Sequence, residues 1–229
     1  LAVAAAVAAV STDPPRCPTR ASKAAVGLAA SVVSRRRDVA ARDAIRRTWC
    51  ETARAVSRDD AVVVVRFFVG RDPDPGGADD LDRGDVTLVD VVDSPFAVLR
   101  LRLHALLRYE DWAPHATHLL ALDDDAYPFL DRIVQDLRRD GRLRGTFVWG
   151  RFEALGGVGP WPVARGFGRV LTADLAHALA LNTAAIPFEL QEPCLRLWGT
   201  RTNITCDRTS WWVFSWSDPR STLSRILRF

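Results

Sequence analysis

The chain contains no methionine, no Cys-x-x-Cys pair and no apolar run long enough to cross a bilayer. Each absence excludes something. Without Met there is no initiator, so the expectation is a fragment, a processed form or an excised domain. Without Cys-x-x-Cys spacing among Cys17, Cys50, Cys194 and Cys206, a zinc site is not expected. Four cysteines fit either a secretory chain with one or two disulfides or a set of buried thiols. The opening apolar stretch, Leu1 to Val10, falls well short of the roughly 20 residues that a spanning helix needs. It reads either as the tail of a signal-anchor or signal peptide, or as an Ala-rich low-complexity end.

A strong charge of one sign is also missing. The net charge is +3 and the sequence pI about 8.9, with the Arg residues scattered among Asp residues. That is not the footprint of a nucleic-acid binder, and no nucleic-acid partner is expected. The mildly basic balance does suit an anionic substrate such as a nucleotide diphosphate. No internal repeat is visible. What remains is 229 residues, 48% of them hydrophobic, which suffices for one fairly large globular domain or two small ones. Asn203-Ile204-Thr205 is a glycosylation sequon and gives slight support to a lumenal location.

Residues 11–22, rich in Pro, read as a linker, because Pro blocks both helix and ladder. Ala25 to Val33, Ala61 to Val69 (ending at Gly70), Val86 to Val92, His118 to Leu122 and Phe147 to Trp149 read as buried strands. Asp38 to Trp49 has helical spacing that sends Val39, Ile45 and Trp49 to the core and the Arg residues outward. Phe96 to Tyr109, the segment around Phe129 to Leu137 stopped by Gly141, and Leu171 to Leu181 are further helices. Residues 71–85 are a loop by composition. Strands alternating with helices argue for an α/β fold whose sheet is mostly parallel and covered on both faces. The final stretch, 201–229, crowds Trp211, Trp212, Phe214 and Trp216 together. It reads either as an aromatic tail packed on the domain or as a platform for a sugar ring.

The run Asp123-Asp124-Asp125 stands out against this background. Adjacent carboxylates at a strand end repel one another, and burial increases the penalty. A solvated acidic turn is one reading. The other is a divalent-cation site, since carboxylate oxygens are what Mg²⁺ and Mn²⁺ prefer and Mg²⁺ commonly bridges carboxylates to substrate phosphates. Asp123 and Asp125, two apart on an extended segment, would face the same way, with Asp124 pointing elsewhere. Ligands of open α/β sheets gather at the carboxyl ends of strands, where this triplet falls. The four His residues show no metal-ligand spacing, and each is given a structural or solvent role.

Five separated blocks resemble, in order, those of the β-1,3-glycosyltransferases, a family that includes β-1,3-galactosyltransferases, β-1,3-N-acetylglucosaminyltransferases and the more distant Fringe proteins. Arg42-Asp43-Ala44-Ile45-Arg46-Arg47-Thr48-Trp49 is similar to R-x-A-I-R-x-T-W, and Arg66 to Gly70 to F-L-L-G. Asp90-Val91-Val92-Asp93-Ser94 resembles D-F-x-D-S/T-Y. Leu122 to Tyr127 resembles K-T-D-D-D-V-F, and Arg165 to Thr172 resembles S-G-G-G-Y-V-L-S.

This resemblance implies a GT-A-like α/β/α sandwich over residues 23–200. It implies an inverting transfer of galactose or N-acetylglucosamine from a UDP-sugar to a glycan hydroxyl in β-1,3 linkage, with Mn²⁺ or Mg²⁺ as cofactor. It further implies a type II protein of the Golgi lumen, with a membrane anchor N-terminal to this chain. Asp125 would be the direct metal ligand, together with Asp123. Arg42, Arg46, Asp93, Asp124, Gly166 and Gly168 would lie on the donor side. For the two Arg residues, four apart on one helix face, the bland alternative is a solvated surface. For the two Gly residues it is an ordinary turn. Trp49 is assigned to the core.

The family's catalytic base lies in an acidic motif, E/D-D-V-x-x-G. The matching stretch here, Pro187 to Gly199, has no paired acids. Ungapped spacing favours Glu192 as the base, whereas matching Leu190 to the motif's Val favours Glu189. The Lys before the triplet is missing, and Arg100 or Arg102 stands in for the Lys of the family's N-L-T-L-K string. Because the acid pair is altered, the alternative is a catalytically inactive GT-A domain that binds a nucleotide sugar or a partner. A metal-dependent phosphohydrolase using the triplet is a third reading, which the other blocks oppose.

Overall fold

The computed structural model describes residues 16–19, 26–57, 61–72, 80–94, 97–139, 147–154, 162–181, 205–207 and 213–215. Its main feature is a seven-stranded sheet. The first four strands in spatial sequence are β3 (Val86–Val92), β2 (Ala61–Arg71), β1 (Val26–Val33) and β4 (His118–Asp123), all mutually parallel. Beyond β4 lie β7 (Pro162–Thr172), antiparallel to its neighbours on both sides, then β6 (Phe147–Ala154) and β8 (Thr205–Asp207). A separate ribbon pairs β5 (Ala126–Pro128) with β9 (Val213–Ser215).

Side-chain alternation along these strands produces two cores. On β1, Val26, Leu28, Ala30 and Val32 enter one core, while Ala29 and Val33 enter the other. On β2 the same split puts Val63, Val65 and Phe67 on one face and Val64 and Phe68 on the opposite face. Both sets are buried, which is why these strands read as unbroken apolar runs and not as alternating ones.

The first core is closed by α1 (Val39–Arg47), α2 (Trp49–Val56) and α5 (Leu130–Arg139), through Ile45, Trp49, Ala53, Ile133 and Leu137 among others. The second is closed by α3 (Ala97–Leu107), α4 (Tyr109–Trp112) and α6 (Ala173–Leu181), through Leu101, Ala105, Trp112 and Leu175. The result is an α/β/α sandwich with a mostly parallel sheet, as expected from the alternation of elements.

Several boundaries differ from the sequence reading. The helix expected over Asp38 to Trp49 breaks at Thr48, whose hydroxyl donates to the Ala44 carbonyl at 2.7 Å, and α2 restarts at Trp49. This return bond competes with regular helix continuation. The helix expected from Phe96 to Tyr109 likewise divides at Arg108. Leu171 and Thr172 belong to β7, not to α6. Gly141, expected to stop α5, lies outside the described residues.

The supposed linker is not free of the domain. Cys17 is buried and disulfide-bonded to Cys50 of α2. Its backbone N–H donates to Asp85 at 3.1 Å, and the Pro18 carbonyl accepts from Val65 at 2.7 Å. Residues 16–19 therefore run along the domain, held by backbone and sulfur.

Gly70 shows why its position lacks a side chain. A Cβ there would meet the Val91 carbonyl oxygen at 2.7 Å, where β2 and β3 shift register. The close approach brings Asp93 N–H to the Arg71 carbonyl at 2.7 Å and sets Asp93 at the carboxyl edge of the sheet. None of the described helices is long and apolar enough to cross a membrane.

Candidate functional site

The carboxyl ends of β1, β3 and β4 converge on a cleft of about 110 Å³. Ser34, Arg35, Asp38, Asp93, Ser94, Asp123 and Asp124 supply its polar lining, and Val98 and Leu101 of α3 form an apolar wall. A parallel sheet makes this juxtaposition possible, because its strands all end on one edge. Four of these acids are separated by up to 86 positions in the chain, counting from Asp38 to Asp124.

Asp123 is the last residue of β4, and Asp124 and Asp125 form the turn into β5. The triplet is thus only partly extended, so the simple alternation expected for Asp123 and Asp125 does not carry through the turn. Asp124 is anchored: Ser34 Oγ donates to its Oδ2 at 2.7 Å. Asp123 is met by Arg102 of α3, whose Nη2 lies 2.5 Å from Oδ1 and 2.7 Å from Oδ2. Asp93 accepts the Arg36 backbone N–H at 2.7 Å, which ties the loop after β1 to the loop after β3.

The electrostatics favour a cation here. Burial pushes the Asp123 carboxyl above its usual range; Arg102 and Arg169 oppose the shift, and Asp125 adds to it. Burial also raises Asp124, against the Ser34 hydrogen bond and with help from Asp38, Asp125 and Asp123. Carboxylates held above their ordinary pKa by burial and by one another gain most from a nearby positive charge. Among the described residues, no three His, Cys, Asp or Glu side chains already converge as a metal shell.

Arg42 and Arg46 are corrected by the structure. Both are fully buried and not outward-facing. Arg42 forks onto Asp80 at 2.7 and 3.0 Å, and also donates to Ser34 Oγ and to the Arg35 and Arg36 carbonyls. Arg46 forks onto Asp85 at 2.6 and 2.9 Å and reaches Asp43 and Asp80. The i, i+4 spacing did put them on one face, but that face is turned inward onto acids of the 71–85 segment. Arg42 touches the site through Ser34 and the Arg35 carbonyl.

Gly168 has φ 140°, a backbone conformation that L side chains rarely adopt, so the Gly there is required by geometry. Gly166 lies within β7. Glu189 and Glu192 lie outside the described residues, as do Trp211, Trp212 and Trp216. The tail does join the fold at backbone level: β9 pairs with β5, placing Phe214 opposite Tyr127 directly after the acid turn. Trp49 is core, as expected.

Three participants were not read from the sequence. Ser34 and Asp38 lie at the end of β1 and just past it, next to an unbroken apolar run, and polar residues at the end of a buried strand were the signal available. Arg169 stands where the family block has Tyr. Burial and the nearby Arg102 lower its pKa to about 10, with Asp123 opposing. Of the two stand-ins considered for the missing Lys, Arg102 makes the contact with the triplet.

The layers and the acid-lined cleft define the class: an α/β domain of GT-A-like fold. No family model matches the chain. Among curated proteins, Beta-1,3-galactosyltransferase 6 of Mus musculus is 33% identical over 181 residues, covering 68% of this chain and 54% of that protein. The chain belongs to the β-1,3-glycosyltransferase family. It spans about half the length of the curated relative it matches.

Solved structures give looser likenesses. HddC from Yersinia pseudotuberculosis has a TM-score of 0.43 at 8% identity, covering 88% of this chain and 99% of that one. A putative glucose-1-phosphate thymidylyltransferase from Bacillus anthracis, in complex with a sucrose, has a TM-score of 0.45 at 8% identity, covering 86% and 93%.

Proposed function

We propose that this chain is an inverting glycosyltransferase that moves galactose or N-acetylglucosamine from a UDP-sugar to a glycan hydroxyl in β-1,3 linkage. The observation that carries the reading is the meeting of Ser34, Asp93, Asp123 and Asp124 at one cleft on the carboxyl edge of the sheet. The donor set is all oxygen and mostly carboxylate, which fits Mn²⁺ or Mg²⁺ and not a soft metal. Asp123 and Asp125 would hold the ion. When bound, a dication neutralises the charge that UDP gains as its bond to the sugar breaks.

The chain's own residues do the rest. Ser34 fixes Asp124 so that the acid turn keeps one geometry. Asp93, braced by the Arg36 N–H, orients the donor side of the cleft. Gly166 and Gly168 let the β7 backbone run close to donor or acceptor. Glu192 or Glu189 takes the proton from the attacking hydroxyl as general base, a role a carboxylate can fill at either position. The Cys17–Cys50 disulfide supports an oxidising compartment, in keeping with a Golgi lumenal protein anchored by a segment preceding this chain.

The test is release of UDP from UDP-galactose and UDP-N-acetylglucosamine, with Mn²⁺, over a panel of glycan acceptors. Turnover that requires both metal and acceptor supports the reading. A protein that binds UDP and Mn²⁺ but transfers no sugar to any acceptor is instead an inactive nucleotide-sugar-binding domain. The absence of paired acids between Pro187 and Gly199 favours that alternative.

A further inference from the structure

Among the described residues, the Arg–Asp pairs near this cleft and in the core differ in where they sit. The Arg42–Asp80 and Arg46–Asp85 pairs are sealed, with side-chain exposures of 1% or less. The Arg102–Asp123 pair is open to the cleft, at 22% and 31%. A sealed pair serves the fold. An open one, made by a long flexible side chain from a helix surface, can come apart without disturbing a core.

The carboxylate involved is one that would hold the metal. Arg102 Nη2 faces both oxygens of Asp123 at once, so a dication binding those oxygens and the guanidinium compete for the same negative charge. Two cations that close to one another repel strongly in a partly buried site. Arg102 and a metal therefore oppose each other at Asp123. Arg169 already contributes positive charge beside Asp123, so a displaced Arg102 is best served by another anion. It finds one in a diphosphate arriving with the metal, which a planar guanidinium can engage through two donors.

We propose that Arg102 is a latch on the metal-binding carboxylate. It neutralises Asp123 until a divalent cation and the donor's diphosphate arrive together, then swings onto the diphosphate. The latch rests on the metal-dependent reading given above and adds an ordering rule: metal alone binds weakly, and UDP and metal strengthen each other's binding. By linkage the coupling is reciprocal.

The experiment is titration of the purified chain with Mn²⁺, with and without UDP, following free Mn²⁺ by electron paramagnetic resonance. The proteins are the wild type, Arg102→Ala, Arg102→Gln and Arg102→Lys. The neutral variants should bind Mn²⁺ alone about tenfold more tightly than the wild type, a coupling of ordinary size. In them the gain from adding UDP should shrink by a similar factor. Arg102→Lys, which keeps the charge, should stay near the wild type, and having two neutral variants guards against one failing to fold. If UDP and Mn²⁺ bind together in the wild type but the neutral variants hold Mn²⁺ alone no more tightly, the latch is wrong and the metal site stands. If no protein binds Mn²⁺ even with UDP, the metal site and the latch are both wrong.

Discussion

Ser34 Oγ donates a hydrogen bond to Asp124 Oδ2 across 2.7 Å, joining residues 90 positions apart. Ser34 is in turn held by Arg42 Nη1 at 3.0 Å. One hydroxyl therefore links a buried ion-pair network to the acid turn. Replacing Ser34 with Ala leaves a half-buried carboxylate short of a donor. A hydrogen bond to a charged group contributes about 1.5–3 kcal/mol. Calorimetric titration should show UDP–Mn²⁺ affinity falling by roughly one order of magnitude, and the thermal midpoint should fall as well, because the bond is present in the unliganded fold.

The sealed pairs predict a loss of stability first. Removing one partner of a buried ion pair costs roughly 3–5 kcal/mol, because the other charge is left uncompensated. Arg46→Met strands Asp85, which also receives the Cys17 N–H. Urea denaturation should report a loss of that size. A double variant, Arg46→Met with Asp85→Asn, should recover part of it.

Asp80 contributes to the acid side of the stability profile. Burial works to raise its pKa, but hydrogen bonds and attraction from Arg42 and Arg46 outweigh burial and hold it below 3.8. A carboxyl depressed in the folded state contributes stability above its unfolded pKa. That stability is lost as pH falls through the folded value. Stability measured by urea between pH 5 and pH 2 should therefore drop as protons are added below about 3.8. Asp80→Asn should flatten that part of the curve while lowering the plateau above it.

The Cys17–Cys50 bridge closes a loop with a separation of 33 residues. Loop-closure entropy for that length corresponds to about 3–4 kcal/mol. Reduction, or Cys50→Ser, should lower stability by that amount in chemical denaturation. It should also expose the Arg16 to Thr19 segment to limited proteolysis.

Glu189→Gln and Glu192→Gln should separate the two candidates for the base. Loss of a general base costs about 10²–10⁴ in rate. One substitution should lower kcat by that factor with little change in KM for the donor, and the other should leave kcat within a few fold. Two near-normal variants would remove both residues from the role.

Much of the architecture was legible in order along the chain. The runs at Val26 to Val33, Ala61 to Val69 and His118 to Leu122 are apolar on both faces, and only a strand covered by helices on both sides explains that. The triplet after β4 was legible as an acid turn at a strand end because three adjacent carboxylates need an explanation. Arg42 and Arg46 were misplaced for an instructive reason. Helical spacing says that two residues share a face but not which way the face turns, and charge alone suggested solvent. Their partners Asp80 and Asp85 sit in a segment that looked like an ordinary polar loop. The Pro-rich stretch at Arg16 to Thr19 was misread similarly: its composition denies it a ladder of its own but not a place beside β2.

By itself the sequence determined the layers, the order of strands and helices, and the acid turn, because periodicity, strand length and charge adjacency are local properties. Tertiary structure alone decided which cations meet which acids. Ser34 reaches Asp124, Arg102 reaches Asp123, and Arg42 and Arg46 turn inward, because parallel strands bring distant chain segments to one edge and burial forces every charge there to find a partner. Ion pairing depends on distance in space, and for partners far apart in sequence no pattern along the chain encodes that distance.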